Sequence, residues 1–339
     1  MKKTIIILLL SGLCTITFGQ FPVPVDSLYT FIKYNSALRH SVNWDEVDSL
    51  FYQKIEEAKT LQDTMKCFVF ILEMLNDVHS QIFLDNQYYG HYPSFDEAQL
   101  QWLKPQNDKA IELTNQIYTE LLPDKIGYIR IPGFQVQNQQ EINYFAQNLY
   151  DSIAKLEQRG SEAYIIDLRL NGGGNIYPML SGISTFLGDH VIAYETDADD
   201  NVVRKWEIEN GNFIIGGYQT TQISADATLK LEAAPIAVLT GAVTKSAGTM
   251  VAIALKKRPN TIFVGVPTAE GYSTSNGFFQ FAPNLTLNFA TNFVADREKH
   301  IYKSSVIPDI TIYRGDNFQS WQGDQKIKAA IEWISKARK

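Results

Sequence analysis

The chain has 339 residues, 45% of them hydrophobic and 20% charged. That is ordinary globular composition, with length for one large core and a smaller domain. The formal net charge is −7 with no Lys/Arg-rich block, which argues against nucleic acid as a partner, since that needs a basic face.

At the N-terminus, Lys2 and Lys3 precede the apolar run Ile5–Leu10, and Thr17-Phe18-Gly19 offers small residues for cleavage. The pattern predicts a signal peptide over 1–19, cleaved near Gln20, and an exported protein, periplasmic or secreted. Cys14 follows Leu13, where lipid attachment expects a small residue. Once Cys14 is gone, Cys67 is the only cysteine, so no intrachain disulfide forms. Its place in the apolar stretch Cys67–Leu72 predicts a buried structural thiol. No later apolar run approaches membrane-spanning length.

Residues 20–85 read as a small helical domain. Asp26 is the expected cap of a helix carrying Leu28, Phe31 and Ile32, and Asn43 of one carrying Val47, Leu50, Phe51 and Ile55. A third runs from about Thr60 to Leu75. Spacings of three and four put these apolar residues on one helical face. Residues 86–124 read as a connecting segment, with an aromatic-rich loop at 88–93.

From residue 125 the pattern becomes that of an α/β core reaching the C-terminus. Ile126–Ile131, Ala163–Leu168, Ile236–Leu239 and Ile262–Gly265 read as strands. Helices are expected at Gln139–Gln158, about Ile176–Leu187 and Ser246–Lys256. This alternation implies a largely parallel sheet covered on both faces. A hairpin is expected around Asp199-Asp200-Asn201, an antiparallel pair at Gly277–Ala282 and Leu285–Ala295, and a last helix capped by Asp324.

Three stretches carry chemistry. Asp167-Leu-Arg-Leu-Asn-Gly-Gly-Gly-Asn175 puts three glycines between a strand and a helix. Such a loop either makes a tight turn or turns N–H groups toward an anion. It matches neither phosphate-loop motif. Ser246, in Thr244-Lys-Ser-Ala-Gly-Thr-Met250, begins a helix and reads locally as an N-cap. A nucleophile at that place would enjoy the helix dipole. His79, in Leu75-Asn-Asp-Val-His-Ser80, ends the last N-terminal helix and is a base of the type a serine needs.

In order and context these stretches resemble the tail-specific, C-terminal-processing serine peptidases, in the broad sense that includes the tricorn core and the interphotoreceptor retinoid-binding protein repeats. The resemblance rests on Asp77–Ser80, Gly127–Phe134, Asp167–Gly174, Ser246–Thr249, Gly265–Gly271 and Ser305–Ile310. It implies a crotonase/ClpP-like α/β core with a small N-terminal helical domain, acting on peptide or protein substrates without metal, nucleotide or other cofactor. It assigns Ser246 as nucleophile, His79 as base, and the amides of Ala247 and Gly173 as the oxyanion hole. The lysine-using branch does not fit, because 269–276 contains no lysine and Lys245 is expected to point away. In the tricorn-like branch the histidine is supported by a preceding serine and a distal glutamate. Here those positions hold Val78 and Tyr302. Ser80 and Glu298 are the remaining supporting residues to consider. The stretch between Ser80 and Ile126 is too short for a PDZ domain of ~80–100 residues. The substitutions also leave open a catalytically weak or inactive member that binds peptides or hydrophobic ligands. A crotonase-type acyl-CoA enzyme shares the expected core but not the exported address.

Overall fold

The computed structural model describes residues 24–85 and 87–338. The expected signal segment, Cys14 and the cleavage point near Gln20 lie outside the described residues. Helices α1 (Val25–Asn35), α2 (Trp44–Glu57) and α3 (Leu61–Met74) come first, then strands β1 (Gln81–Leu84) and β2 (Gln87–Tyr89), helix α4 (Glu97–Glu112) and strand β3 (Tyr118–Leu122). There follow β4 (Ile126–Arg130), α5 (Gln139–Gln158), β5 (Ala163–Asp167), α6 (Ile176–Gly182), α7 (Ser184–Leu187), β6 (Val191–Thr196), β7 (Val202–Glu209), β8 (Asn212–Ile215) and β9 (Tyr218–Gln219). The chain continues through β10 (Ile236–Thr240), α8 (Ala247–Leu255), β11 (Thr261–Gly265), β12 (Thr274–Ala282), β13 (Leu285–Asp296), β14 (Ile301–Tyr302), β15 (Ile310–Thr311) and α9 (Gln325–Ala337).

Local chemistry explains the helix starts. The Asn43 side chain accepts the Asp45 N–H, Thr60 and Asp63 form a reciprocal capping box, and Asp324 accepts the N–H groups of Lys326 and Ile327. Helix α1 differs from expectation. Pro24 holds its cap position and Asp26 lies inside the first turn, where its charge faces the dipole instead of capping.

One sheet runs β15-β11-β10-β5-β4-β3, with β4, β5, β10, β11 and β15 parallel and β3 antiparallel at the edge. Strands β4, β5 and β10 are buried at every position, which is why they read as continuous apolar runs and not as alternation. Helix α9 covers one face through Ile327, Ala330 and Ile334. Helices α5, α6 and α8 cover the other, in a core that includes Phe134, Leu149, Leu180 and Val251.

The second sheet is built on β13, the strand that unites the chain. Its first half pairs with β1, its last residues with β6, and along its length with β12. Leu285, Leu287 and Phe289 of β13 close the core of α1–α3, together with Leu28, Phe51 and Phe68. The N-terminal helices are therefore roofed by a strand from the far end of the chain. Cys67 is a buried free thiol. The segment 86–124 holds a 16-residue helix and two strands instead of a plain connection. Helix α4 escapes a sequence reading because Pro105 interrupts its pattern and only Gln106 and Ala110 are buried.

Candidate active site

Ser246 sits on a sharp strand-to-helix turn between β10 and α8. Its backbone angles are φ 52° and ψ −123°, a conformation that costs of order 1–3 kcal/mol in a non-glycine residue. The turn is braced from behind. The Thr244 hydroxyl donates to the Leu168 carbonyl at 2.8 Å and accepts the Gly241 N–H at 2.9 Å. Thr249 donates to the Thr244 carbonyl at 3.3 Å. The Ser246 side chain makes no capping bond to helix α8. Its Oγ lies 2.9 Å from His79 Nε2 instead.

His79 is presented by a turn that its neighbours lock. Buried Asp77 accepts the N–H groups of His79 and Ser80 at 3.0 and 2.9 Å, and the Ser80 hydroxyl at 2.6 Å. Ser80 Oγ also accepts the Ala290 N–H of β13 at 3.0 Å. Ser80 therefore anchors the turn to the sheet and does not touch the imidazole. Burial pushes the Asp77 carboxyl above its ordinary range.

The other ring nitrogen meets a residue that sequence reasoning missed. His79 Nδ1 lies 2.7 Å from Thr274 Oγ1. The Thr274 hydroxyl in turn lies 3.1 Å from Asn276 Oδ1, and Asn276 Nδ2 donates to the His79 carbonyl at 3.1 Å. A threonine hydroxyl has a single proton. If it is given to Asn276, the oxygen must accept from Nδ1–H, which leaves the Nε2 lone pair for Ser246. The relay thus selects the tautomer a general base requires. Thr274 and Asn276 share one side of β12 because alternate residues do, with an irregularity in register between Ser275 and Asn276. Ser275 points elsewhere and donates to buried Glu195 at 2.8 Å.

Tyr302 and Glu298, considered as supporting residues, do not reach the imidazole. The Tyr302 hydroxyl donates to Asp296 at 2.9 Å, and Glu298 pairs with Lys257 at 3.3 Å. No carboxylate hydrogen-bonds the His79 ring among the described residues. Burial, reinforced by the nearby Lys245 ammonium, lowers the His79 pKa from 6.5 to about 4.

The glycine loop lies against Ser246. A Cβ on Gly173, whose φ is +101°, would fall 2.8 Å from Ser246 Cβ and 3.3 Å from its Oγ, so only glycine fits. The Gly173 amide is already in use, donating to Asn171 Oδ1 at 3.0 Å. Asn171 is itself buried and tied to the Pro132 carbonyl at 3.0 Å. Of the two amides expected to form an oxyanion hole, only that of Ala247, at the head of α8, is without an acceptor among the described residues. The loop is held from below by Arg169, which is fully buried and bonds Asp167, Asp316 and Asp324. This joins β5 to the cap of α9.

Lys245 does not point away from the site as expected. It is half-buried, with Nζ 5.6 Å from the centre of the Tyr272 ring, and that ring lies 5.1 Å from the His79 ring. Among the described residues no group of three or more His, Cys, Asp or Glu side chains converges as a metal site would.

Residues 125–312 match the family model described as peptidase family S41. The chain belongs to that family. Its α/β core with an N-terminal helical region is the expected fold, and the matched span runs from β4 to β15. The chain is 34% identical over 207 residues to the nisin-resistance protein of Lactococcus lactis subsp. lactis, covering 61% of this chain and 59% of that protein. It is 26% identical over 195 residues to the carboxy-terminal processing protease CtpA of Bacillus subtilis (strain 168), covering 57% of this chain and 36% of that one. The chain thus spans less than two thirds of either relative. A solved lipoprotein structure from Streptococcus agalactiae shares the fold, with a TM-score of 0.65 at 18% identity over 94% of this chain and 98% of that one. No helix of the described residues is long and apolar enough to cross a membrane.

Proposed function

We propose that this S41 member is an exported serine peptidase in which Ser246 is the nucleophile and His79 the general base. The observation that carries the reading is the 2.9 Å contact between Ser246 Oγ and His79 Nε2, with Nδ1 occupied by Thr274. Ser246 Oγ attacks the scissile carbonyl carbon while its proton passes to Nε2. The developing oxyanion is met by the Ala247 N–H, backed by the dipole of α8. Collapse breaks the C–N bond as His79 returns the proton to the leaving amine. Water, deprotonated by the same nitrogen, then cleaves the acyl-enzyme.

His79 meets a neutral hydroxyl where a triad has a carboxylate. The imidazolium formed in the transition state is therefore less stabilised, and losing the orienting charge of a triad costs up to about 10⁴-fold in turnover without abolishing it. The reading is a competent but slow peptidase. Export is supported by the charged and apolar pattern of residues 2–10 and the small residues before Gln20.

The similarity to a nisin-resistance protein makes nisin the first substrate to incubate with the chain. Mass spectrometry is expected to find cleavage products of nisin or of a quenched peptide library, absent with Ser246→Ala. The uncharged partner of His79 favours a second reading, a binding module without chemistry. Intact substrates after prolonged incubation, with undiminished peptide binding, would select it.

A further inference from the structure

The Lys245 side chain is a cation without a counter-ion at the edge of the reacting atoms. The chain carries 37 acidic against 30 basic residues, yet among the described residues no carboxylate lies within ion-pairing or hydrogen-bonding distance of Lys245 Nζ. Its Nζ lies over the Tyr272 ring face, 5.6 Å from the centroid. Half-buried Lys33 pairs with Asp48 at 2.8 Å, and half-buried Lys256, which also lacks a carboxylate partner, donates to the Ile307 carbonyl at 3.1 Å; among the described residues Lys245 Nζ has neither kind of acceptor. Half-burial has stripped Lys245 of part of its hydration, lowering its pKa with no acidic group to restore it. An ammonium in that position is unsatisfied until an anion arrives.

Position narrows what the anion is. Lys245 Cε lies 3.8 Å from where a Cβ would stand on Gly172, and the corresponding point on Gly173 is 3.3 Å from Ser246 Oγ. An extended chain advances ~3.3–3.6 Å per residue. A substrate group on Lys245 therefore belongs to a residue within about three positions of the scissile bond. In a peptide that group is a carboxylate.

Resting on the peptidase reading above, we infer that Lys245 is a specificity residue, the anchor for a substrate carboxylate beside the scissile bond. The free C-terminal carboxylate of a short tail and an acidic side chain offer the same chemistry. Occupancy also has a consequence for the base. Lys245 is one of the two causes that disfavour protonation of His79, so a carboxylate on it relieves the imidazolium of a like charge during attack.

The test reads protection of Ser246 from a fluorophosphonate probe in the full chain. Three N-acetylated tetrapeptide pools of random sequence are compared: one with a free carboxyl, one amidated and free of Asp and Glu, and one amidated with Asp or Glu at the last position. Each variant's own peptide-free labelling rate is its baseline. In the wild type the free-acid pool is expected to slow labelling at about one tenth the concentration the neutral pool needs. Lys245→Met should erase that tenfold difference and Lys245→Arg should keep most of it. If the acidic amidated pool protects as well as the free acid, the anchor takes side chains as well as termini. Equal protection by the free-acid and neutral pools in the wild type, including none by either, overturns the inference unless the acidic amidated pool alone protects and loses that in Lys245→Met. So does a difference that survives in Lys245→Met. Absence of labelling in the wild type would count against the peptidase reading instead, and calorimetric titration of the same pools then reads the same contrast between wild type and Lys245→Met.

Discussion

Thr274 Oγ1 lies 2.7 Å from His79 Nδ1, on the opposite side of the imidazole from Ser246. Asn276 braces both, through the threonine hydroxyl and the histidine carbonyl. This neutral relay stands where a triad has its charged third member, and it comes from β12 and not from the C-terminal region.

Thr274→Val keeps the shape and removes the acceptor. The imidazole then has no partner selecting the Nδ1–H tautomer, and kcat/KM is expected to fall about 10²-fold with little change in Tm. Thr274→Ser should recover most of the loss. Equal activity in the valine and serine variants would reduce Thr274 to a packing residue.

Tyr302 and Glu298 are the contrasting pair. Bonded to Asp296 and Lys257, they lie outside the relay. Tyr302→Phe and Glu298→Gln should each leave kcat/KM within about twofold, because neither side chain touches the imidazole or Ser246. A hundredfold loss in either would restore it as a supporting member.

The buried His79 gives a pH signature. Its folded pKa of about 4 lies below the ordinary 6.5, so between those values the unfolded chain binds the proton more tightly. The neutral ring's contribution to stability is complete above pH 6.5 and is lost as pH falls toward 4, amounting to about 3 kcal/mol. Urea unfolding at several pH values should show this slope in the wild type and not in His79→Gln. The same shift keeps the base unprotonated, so kcat/KM should hold down to about pH 5. A decline centred near 6.5 would contradict the burial of the ring.

Arg169 joins β5, the glycine loop and α9 through three carboxylates. Arg169→Met leaves the buried Asp167 and Asp324 without their cation. Such a break costs about 3–5 kcal/mol, to be read as a lower urea midpoint. A loss below about 1 kcal/mol would mean the acids relax into other partners.

Much of this was legible in the residues. The continuous apolar runs at 163–167 and 236–240 signal strands buried on both faces, and Asn43 and Asp324 mark helix starts by their capping chemistry. Ser246 and His79 stand 167 positions apart, so no local pattern joins them; the order of several motifs did. Thr274 carried no such signal, because a hydroxyl at the start of a strand looks the same whether or not a histidine will meet it. The direction of Lys245 depends on the left-handed turn at Ser246, which spacing does not reveal. The pairing of β1 with β13 was hidden for the same reason as all long-range registers: the partners lie at opposite ends of the chain.

The most direct test of the account is the site and rate of fluorophosphonate labelling in the wild type, Ser246→Ala and His79→Gln. The account predicts a single adduct on Ser246, none in Ser246→Ala, and a rate at least about 10²-fold lower in His79→Gln. An adduct at another residue, or an unchanged rate without the imidazole, would contradict it.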